Sequence, residues 1–193
     1  MSHYFTNEYI KSDEHLIYVK IKNQDFKFNV DNGVFSKKGL DFGTRTLIEN
    51  LPSLKGDILD FGCGYGPIGI FIAKNYKCSV DMIDINNRCI SLALKNSKLN
   101  NVKVNIFPSN IYESVNKKYD YIITNPPIRV GNKILYKILF EAKEHLKKDG
   151  ELWLVINKNQ GAKTVIKELE NYYTVLLITK NKGFYIIKAI NNI

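Results

Sequence analysis

"DILDFGCGYGPIG", Asp57 to Gly69, decides the fold. A short apolar run, Ile58 to Phe61, leads into three glycines spaced two apart and then a proline. The run is too short for a helix and is bounded by turn signals, which predicts a buried strand. Gly62 and Gly64 permit a sharp turn and let backbone come close to a ligand. Pro67 suits the first position of a helix, and "IGIFIAK" (68–74) continues as one. A ligand at the turn would therefore meet unpaired N–H groups at a helix start. "GYGPIG" (64–69) also matches the GxGxxG pattern of dinucleotide sites, so the glycines alone leave the ligand open.

Working outward, strand-like and helix-like stretches alternate from Asp57 onward. Strands are predicted at 57–62, 78–84, 102–107, 119–124 and 150–157, with a closing pair at 173–180 and 183–190. The near-continuous apolar character of the early ones fits parallel strands covered on both faces. "NKILYKILFEAKEHLKKDG" (132–150) aligns Ile134, Leu135, Ile138, Leu139, Ala142 and Leu146 on one stripe, predicting a helix stopped by Gly150. The pattern predicts an α/β fold with a doubly wound, mostly parallel sheet. Only Asn181 to Gly183 separates the last two strands, too few residues for a parallel crossover, so they should form an antiparallel hairpin. Upstream, apolar and polar residues alternate, with turn signals at Asn23-Gln24 and Asn32-Gly33. That predicts a small N-terminal β extension over residues 1–42, ahead of a main domain over 43–193.

The 193 residues are enough for a real core. No apolar run approaches the ~20 residues of a membrane span, and the start lacks a signal-peptide layout. A cytoplasmic location is the expectation. Cys63, Cys78 and Cys89 form no CxxC pair, so neither a metal site nor a disulfide framework is expected. A net charge of +9 invites a polyanionic partner. The same charge also fits a compositional bias, because lysine, asparagine and isoleucine crowd the chain.

Asp60 closes the first strand before the glycines, and Asp84 closes the second, in "CSVDMID" (78–84). A carboxylate at a second strand tip can accept from both ribose hydroxyls of a nucleoside. Ile85 would then reach an adenine face. Asn110, after the third strand, is a candidate acceptor for an adenine amine, though a turn asparagine reads the same way. An acidic residue followed by GxGxG, here Asp60 with Gly62, Cys63 and Gly64, is also how methyltransferases that bind S-adenosylmethionine open.

"TNPPI" (124–128) separates the two readings. Both prolines lack an N–H and hold φ near −65°. Each pushes its predecessor toward extended geometry, so Asn125 and Pro126 are both restrained. From about Asp57 to its end the chain resembles class I S-adenosylmethionine-dependent methyltransferases, with their Rossmann-like seven-stranded sheet. "NPPI" is similar to the Asn-Pro-Pro-aromatic signature of those that methylate planar nitrogens. The resemblance implies that the Asn125 side-chain oxygen and the Pro126 carbonyl accept the two N–H bonds of the target amine. It implies S-adenosylmethionine as cofactor, held by Asp60, Gly62, Cys63, Gly64, Asp84, Ile85, Asn110 and Asn125. Here the fourth signature position is Ile128, not an aromatic, which weakens the expected grip on a base.

Two segments narrow the resemblance. "NGVFSKKGLDFGTRTLIENL" (32–51) and "NPPIRVGN" (125–132) look like the RsmC-like group, guanine 2-amino methyltransferases of small-subunit ribosomal RNA. "GVFS" and "LDFGT" would form a lid with Gly33, Phe35, Gly43 and Thr44 near the cofactor's edge. Pro127, Ile128, Arg129 and Lys133 would face the RNA. Arg129 stands out because Arg45 and Arg88 are the only other arginines, and its planar fork suits phosphate or a guanine edge. Longer members of that group carry a second, degenerate copy of the domain. This chain has no room for one, so a homodimer is a possible substitute. A protein glutamine amide as substrate, a non-catalytic S-adenosylmethionine- or RNA-binding module, and an NAD enzyme are the alternatives. "NPP" gives the last no purpose.

Overall fold

The computed structural model describes residues 11–34 and 39–192, without the side chain of Arg129. An antiparallel hairpin comes first, β1 (His15–Ile21) and β2 (Gln24–Val30). Its turn falls one residue before the expected one: Lys22 and Asn23 both have positive φ, and Ile21 pairs with Gln24. A two-residue turn that matches strand twist needs two such residues, and asparagine tolerates the conformation.

Seven further strands form one sheet: β3 (Gly56–Phe61), β4 (Cys78–Asp84), β5 (Asn105–Pro108), β6 (Tyr119–Thr124), β7 (Leu146–Asn157), β8 (Thr174–Asn181) and β9 (Phe184–Ile190). Their order is β5-β4-β3-β6-β7-β9-β8. The pairings β3–β4, β4–β5, β3–β6 and β6–β7 are parallel, while β9 runs antiparallel to both β7 and β8. The predicted architecture is present, closing hairpin included.

Helices α1 (Phe42–Asn50), α2 (Pro67–Asn75), α3 (Asn87–Leu99), α4 (Asn132–Glu141) and α5 (Ala162–Leu169) complete the fold. Two apolar cores lie on opposite faces of the sheet. One collects Leu47, Ile70, Leu92 and the hairpin's Phe26 and Phe28; the other collects Leu135, Leu139, Val165 and Leu169. The N-terminal hairpin thus shares a core with the sheet and does not stand apart from it.

The helix expected over 132–150 stops early. α4 ends at Glu141, a 3₁₀ turn covers Ala142–His145, and β7 begins at Leu146, opposite Tyr119. The apolar stripe was real, but tertiary contacts override its continuation. Lys147 Nζ reaches Asp57 Oδ2 and Asp120 Oδ2, each at 2.8 Å. The Lys147 ammonium beside Asp57 holds that carboxyl below its ordinary range.

What joins hairpin to sheet is an amide ladder on α3. Asn96, fully buried, accepts from Asn29 N at 2.7 Å and donates to Asn29 O at 2.9 Å and Tyr65 O at 2.8 Å. One turn later, Asn100 repeats the exchange with Lys27 N and O at 3.2 and 2.7 Å. The two side chains act as a surrogate strand for the free edge of β2. Asn96→Leu should leave those backbone groups buried and unpaired, lowering stability by roughly 2–3 kcal/mol in urea unfolding. A loss below ~0.5 kcal/mol would show that water replaces the ladder.

Candidate active site

In an open α/β sheet ligands bind where strand order reverses, beyond the carboxyl ends of the strands. Here that point lies between β3 and β6. A cleft of about 770 Å³ opens there, within the size range of small-molecule sites. Both halves of the expected site line it: Gly62, Cys63, Gly64, Asp84, Ile85 and Asn110 on one side, Asn125, Pro126, Pro127 and Ile128 on the other.

The glycine turn forms as its sequence dictates. Gly62 and Gly64 have φ of +69° and +57°, and a Cβ on either would point into open space. Side chains are excluded by backbone conformation and not by crowding, which leaves an uncovered backbone floor. Pro67 is the first residue of α2, with Gly66 capping it.

Asp84 holds this floor. Its Oδ2 accepts from Gly64 N at 2.9 Å and its Oδ1 from Asn86 N at 2.8 Å. Ile85 N is a third backbone donor to the carboxylate, which still keeps lone-pair capacity for a ligand hydroxyl. Burial pushes the carboxyl above its ordinary value. Ile85, 41% exposed, offers an apolar face next to it. Asn110 donates to Glu113 Oε1 at 2.7 Å, leaving its own oxygen as an acceptor. An uncovered backbone cradle, a carboxylate and an apolar shelf fit a nucleoside cofactor.

Asp60 and Lys133 fall outside the cleft lining, as do Gly33 and Gly43, expected at the cofactor's edge. Asp60 is fully buried beneath the glycine turn, with Oδ2 accepting from Gly69 N at 2.8 Å. It braces the first turn of α2 against β3, and its second oxygen has no partner among the described residues. Lys133 is exposed on the first turn of α4. The Arg129 side chain and Phe35 lie outside the described residues.

At the other end, Asn125 is held from the N-terminal side of the chain. Its Nδ2 donates to Thr44 Oγ1 at 2.9 Å and lies 3.5 Å from Asp41 Oδ1. A hydroxyl could face either end of the amide, but a carboxylate can only accept. Asp41 therefore settles the orientation, and Asn125 Oδ1 remains an acceptor. Asp41 Oδ1 also caps α1 through Thr44 N at 2.9 Å, so one carboxylate orders both elements. The Pro126 carbonyl takes part in no hydrogen bond among the described residues.

Sequence reasoning put the segment holding Asp41, Phe42 and Thr44 beside the cofactor but missed Asp41 in this role, along with Asn157, Gln160 and Phe184, which line the same cleft. A capping pattern, Asp41 before a helix with Thr44 three residues on, was the one signal available for Asp41. Among the described residues no His/Cys/Asp/Glu cluster could hold a metal ion, and no helix is long and apolar enough to cross a membrane.

Fold and cleft define a class I S-adenosylmethionine-dependent methyltransferase. The chain belongs to the methyltransferase small domain family, whose model matches residues 25–188, and is similar in sequence and fold to RsmC proteins. It is 43% identical over 195 residues to YbxB of Bacillus subtilis (strain 168), described as uncharacterized, covering 97% of each chain. It is 34% identical over 176 residues to the ribosomal RNA small subunit methyltransferase C of Aliivibrio fischeri (strain ATCC 700601 / ES114), covering 89% of this chain and 51% of that one. The chain thus spans about half the length of that methyltransferase. A solved T. thermophilus 16S rRNA N2 G1207 methyltransferase (RsmC), in complex with AdoMet and guanosine, superposes with TM-score 0.82 at 20% identity, over 93% of this chain and 51% of that one. At that identity the likeness is one of fold.

Burial, with the nearby Asp84 adding to it, raises the Asp60 carboxyl from 3.8 to about 7. A folded-state pKa above the unfolded one means the folded form holds a proton that the unfolded form has lost. Stability from this group is therefore fully present below about pH 4 and disappears as pH rises toward 7. Urea midpoints should fall between about pH 5 and pH 7, by at most about 1.4 kcal/mol per pH unit, then level off. Asp60→Asn should flatten that slope, and an unchanged slope in the variant would assign it to another group.

Proposed function

We propose that this protein transfers a methyl group from S-adenosylmethionine to the exocyclic 2-amino group of a guanosine in RNA, ribosomal RNA of the small subunit in particular. The observation that carries the reading is the fixed amide of Asn125. Its nitrogen is committed to Thr44 and Asp41, so its oxygen faces a substrate as an acceptor, next to the unused Pro126 carbonyl. Two neutral acceptors side by side match an NH₂ group.

The chemistry explains why acceptors are needed. An exocyclic amine has its lone pair delocalised into the ring and is a poor nucleophile. Accepting both N–H bonds draws the nitrogen toward tetrahedral geometry and frees the lone pair. The cofactor supplies an electrophilic sulfonium methyl. Positive charge that develops on the nitrogen is stabilised by the Asn125 and Pro126 dipoles. The stiff Pro126-Pro127 segment keeps both acceptors in place, and such alignment can lower a barrier by as much as roughly 7–11 kcal/mol. The extra proton leaves to solvent once the bond has formed.

RNA as partner draws support from the ribosomal RNA methyltransferases among the relatives and from the net charge of +9. The target base must be unpaired or lifted from its stack to reach the cleft. Asn125 serves here as the acceptor, and Thr44 and Asp41 as positioning residues.

The test is transfer from labelled S-adenosylmethionine to small ribosomal subunits, or their RNA, lacking guanine 2-amino methylation, followed by mapping of the labelled nucleoside. Asn125→Ala should lower kcat about 100-fold or more and leave S-adenosylhomocysteine affinity nearly unchanged. Label appearing on a protein glutamine and on no nucleoside would overturn the substrate. Thr44→Val keeps the shape but frees the Asn125 amide to rotate, and kcat should drop about tenfold without a change in cofactor binding. Unaltered turnover in Thr44→Val would remove Thr44 from its positioning role.

A further inference from the structure

The geometry points to a second binding surface at the open end of the cleft: an aromatic platform made by Phe42 and Phe184, with Lys182 beside it, that takes the base and the phosphate of the target nucleotide. The inference rests on the function proposed above and locates the grip that Ile128 does not provide.

β7 extends past β6. Thr124, the last residue of β6, pairs with Leu154, and β7 continues three residues further to Asn157. Asn157 pairs in turn with Phe184, the first residue of β9. This overhang brings Phe184 into the lining of the cleft that Asn125 and Pro126 share. From the opposite side comes Phe42, the first residue of α1. The two rings have centroids 5.7 Å apart and planes inclined at 49°. Both side chains are half-buried, with ring surface still open.

The position of Phe184 is enforced from behind. A Cβ on Gly43 would sit 2.8 Å from Phe184 Cε1, so the ring lies directly against the first turn of α1, where glycine makes room. The two-residue turn before it is pinned as well, because Lys158 N donates to Gly183 O at 2.7 Å. Lys182, in that turn, places its ammonium 5.1 Å from the Phe42 ring centroid. Two inclined rings with a cation over the face of one of them offer stacking surface and charge together, as sites for single-stranded nucleotides do: the base stacks on Phe184, and the phosphate pairs with the lysine.

Asn157 and Gln160 add polarity of one sign. They form a capping box in which Asn157 Oδ1 accepts from Asn159 N at 3.0 Å and Gln160 Oε1 accepts from Asn157 N at 3.2 Å. With one lone pair of each oxygen used on backbone, the NH₂ groups are what the two side chains hold without a partner among the described residues. Two donors opposite two acceptors suit guanine, which carries ring acceptors as well as its amine. Asn125 and Pro126 take the amine; Asn157 and Gln160 face acceptor atoms of the same base.

The experiment uses the full chain with S-adenosylhomocysteine bound and two readouts. One is kinetics on small-subunit RNA lacking the modification, the other binding of guanosine 5′-monophosphate followed by NMR. Phe184→Leu keeps apolar bulk and removes the ring; it should raise KM for RNA and weaken the nucleotide about tenfold, with S-adenosylhomocysteine affinity unchanged. Phe184→Tyr should restore both to near the original values. Lys182→Gln should weaken RNA binding and reduce the salt slope by about one, because one phosphate contact is lost. Wild-type KM and nucleotide affinity in Phe184→Leu would overturn the inference, and so would an equal loss of cofactor affinity. If Asn125→Ala abolishes RNA methylation while Phe184→Leu changes nothing, the proposed function stands and the platform falls. If the unmodified protein methylates no RNA, that function falls, and the platform is judged on nucleotide binding alone.

Discussion

The orientation of one amide organises the active end of this molecule. Asn125 follows a buried parallel strand and precedes two prolines, so its backbone has little freedom. Its side chain could still rotate and present either end to a ligand. Asp41 and Thr44, more than 80 residues earlier, remove that freedom. The bond to Thr44 at 2.9 Å supplies most of the restraint; the longer contact to Asp41 decides which end of the amide is which. Because Asp41 also caps α1, the helix start and the reactive bend are ordered by the same carboxylate.

That coupling explains why the N-terminal hairpin is integral to the fold. β1 and β2 bury Phe26 and Phe28 in the core beneath the glycine turn, and Asn96 ties β2 to the carbonyl of Tyr65 inside that turn. The hairpin therefore supports the glycine-turn side of the cleft, and α1, which follows it, supports the Asn125 side. The 3.6-residue period of α3 makes this possible: Asn96 and Asn100 fall one turn apart and meet alternate residues of an extended strand.

Carboxylates divide the work by depth. Asp84 lies at a strand tip, held by the backbone N–H groups of Gly64, Ile85 and Asn86 yet lining the cleft. Asp60, on the neighbouring strand, lies below the floor, where burial favours its protonated form. Similar positions at the ends of adjacent strands thus yield a cleft-lining group and a structural brace. Their sequence contexts, "LDFG" and "IDIN", do not tell the two roles apart.

Sheet class, the glycine turn, the acid after it and the proline-stiffened bend were all legible in the linear chain, because each rests on local chemistry: β-prone apolar runs, glycine's tolerance of positive φ, proline's fixed φ. The early end of α4 was not legible, since a stripe of apolar residues continues past Glu141 and the pairing of buried Leu146 with Tyr119 that opens β7 is a long-range contact. Nor was the place of Asn157 and Phe184 in the cleft, or the contact between Asp41 and Asn125. In sequence Asp41, Phe42, Asn157 and Phe184 are a helix cap, a core aromatic, a strand end and a hairpin residue, up to 143 positions apart. Only the packing of α1 against the overhanging tips of β7 and β9 brings them to one rim. Periodicity and conformational preference act between near neighbours, whereas a site assembled from distant elements exists once the core has set their distances.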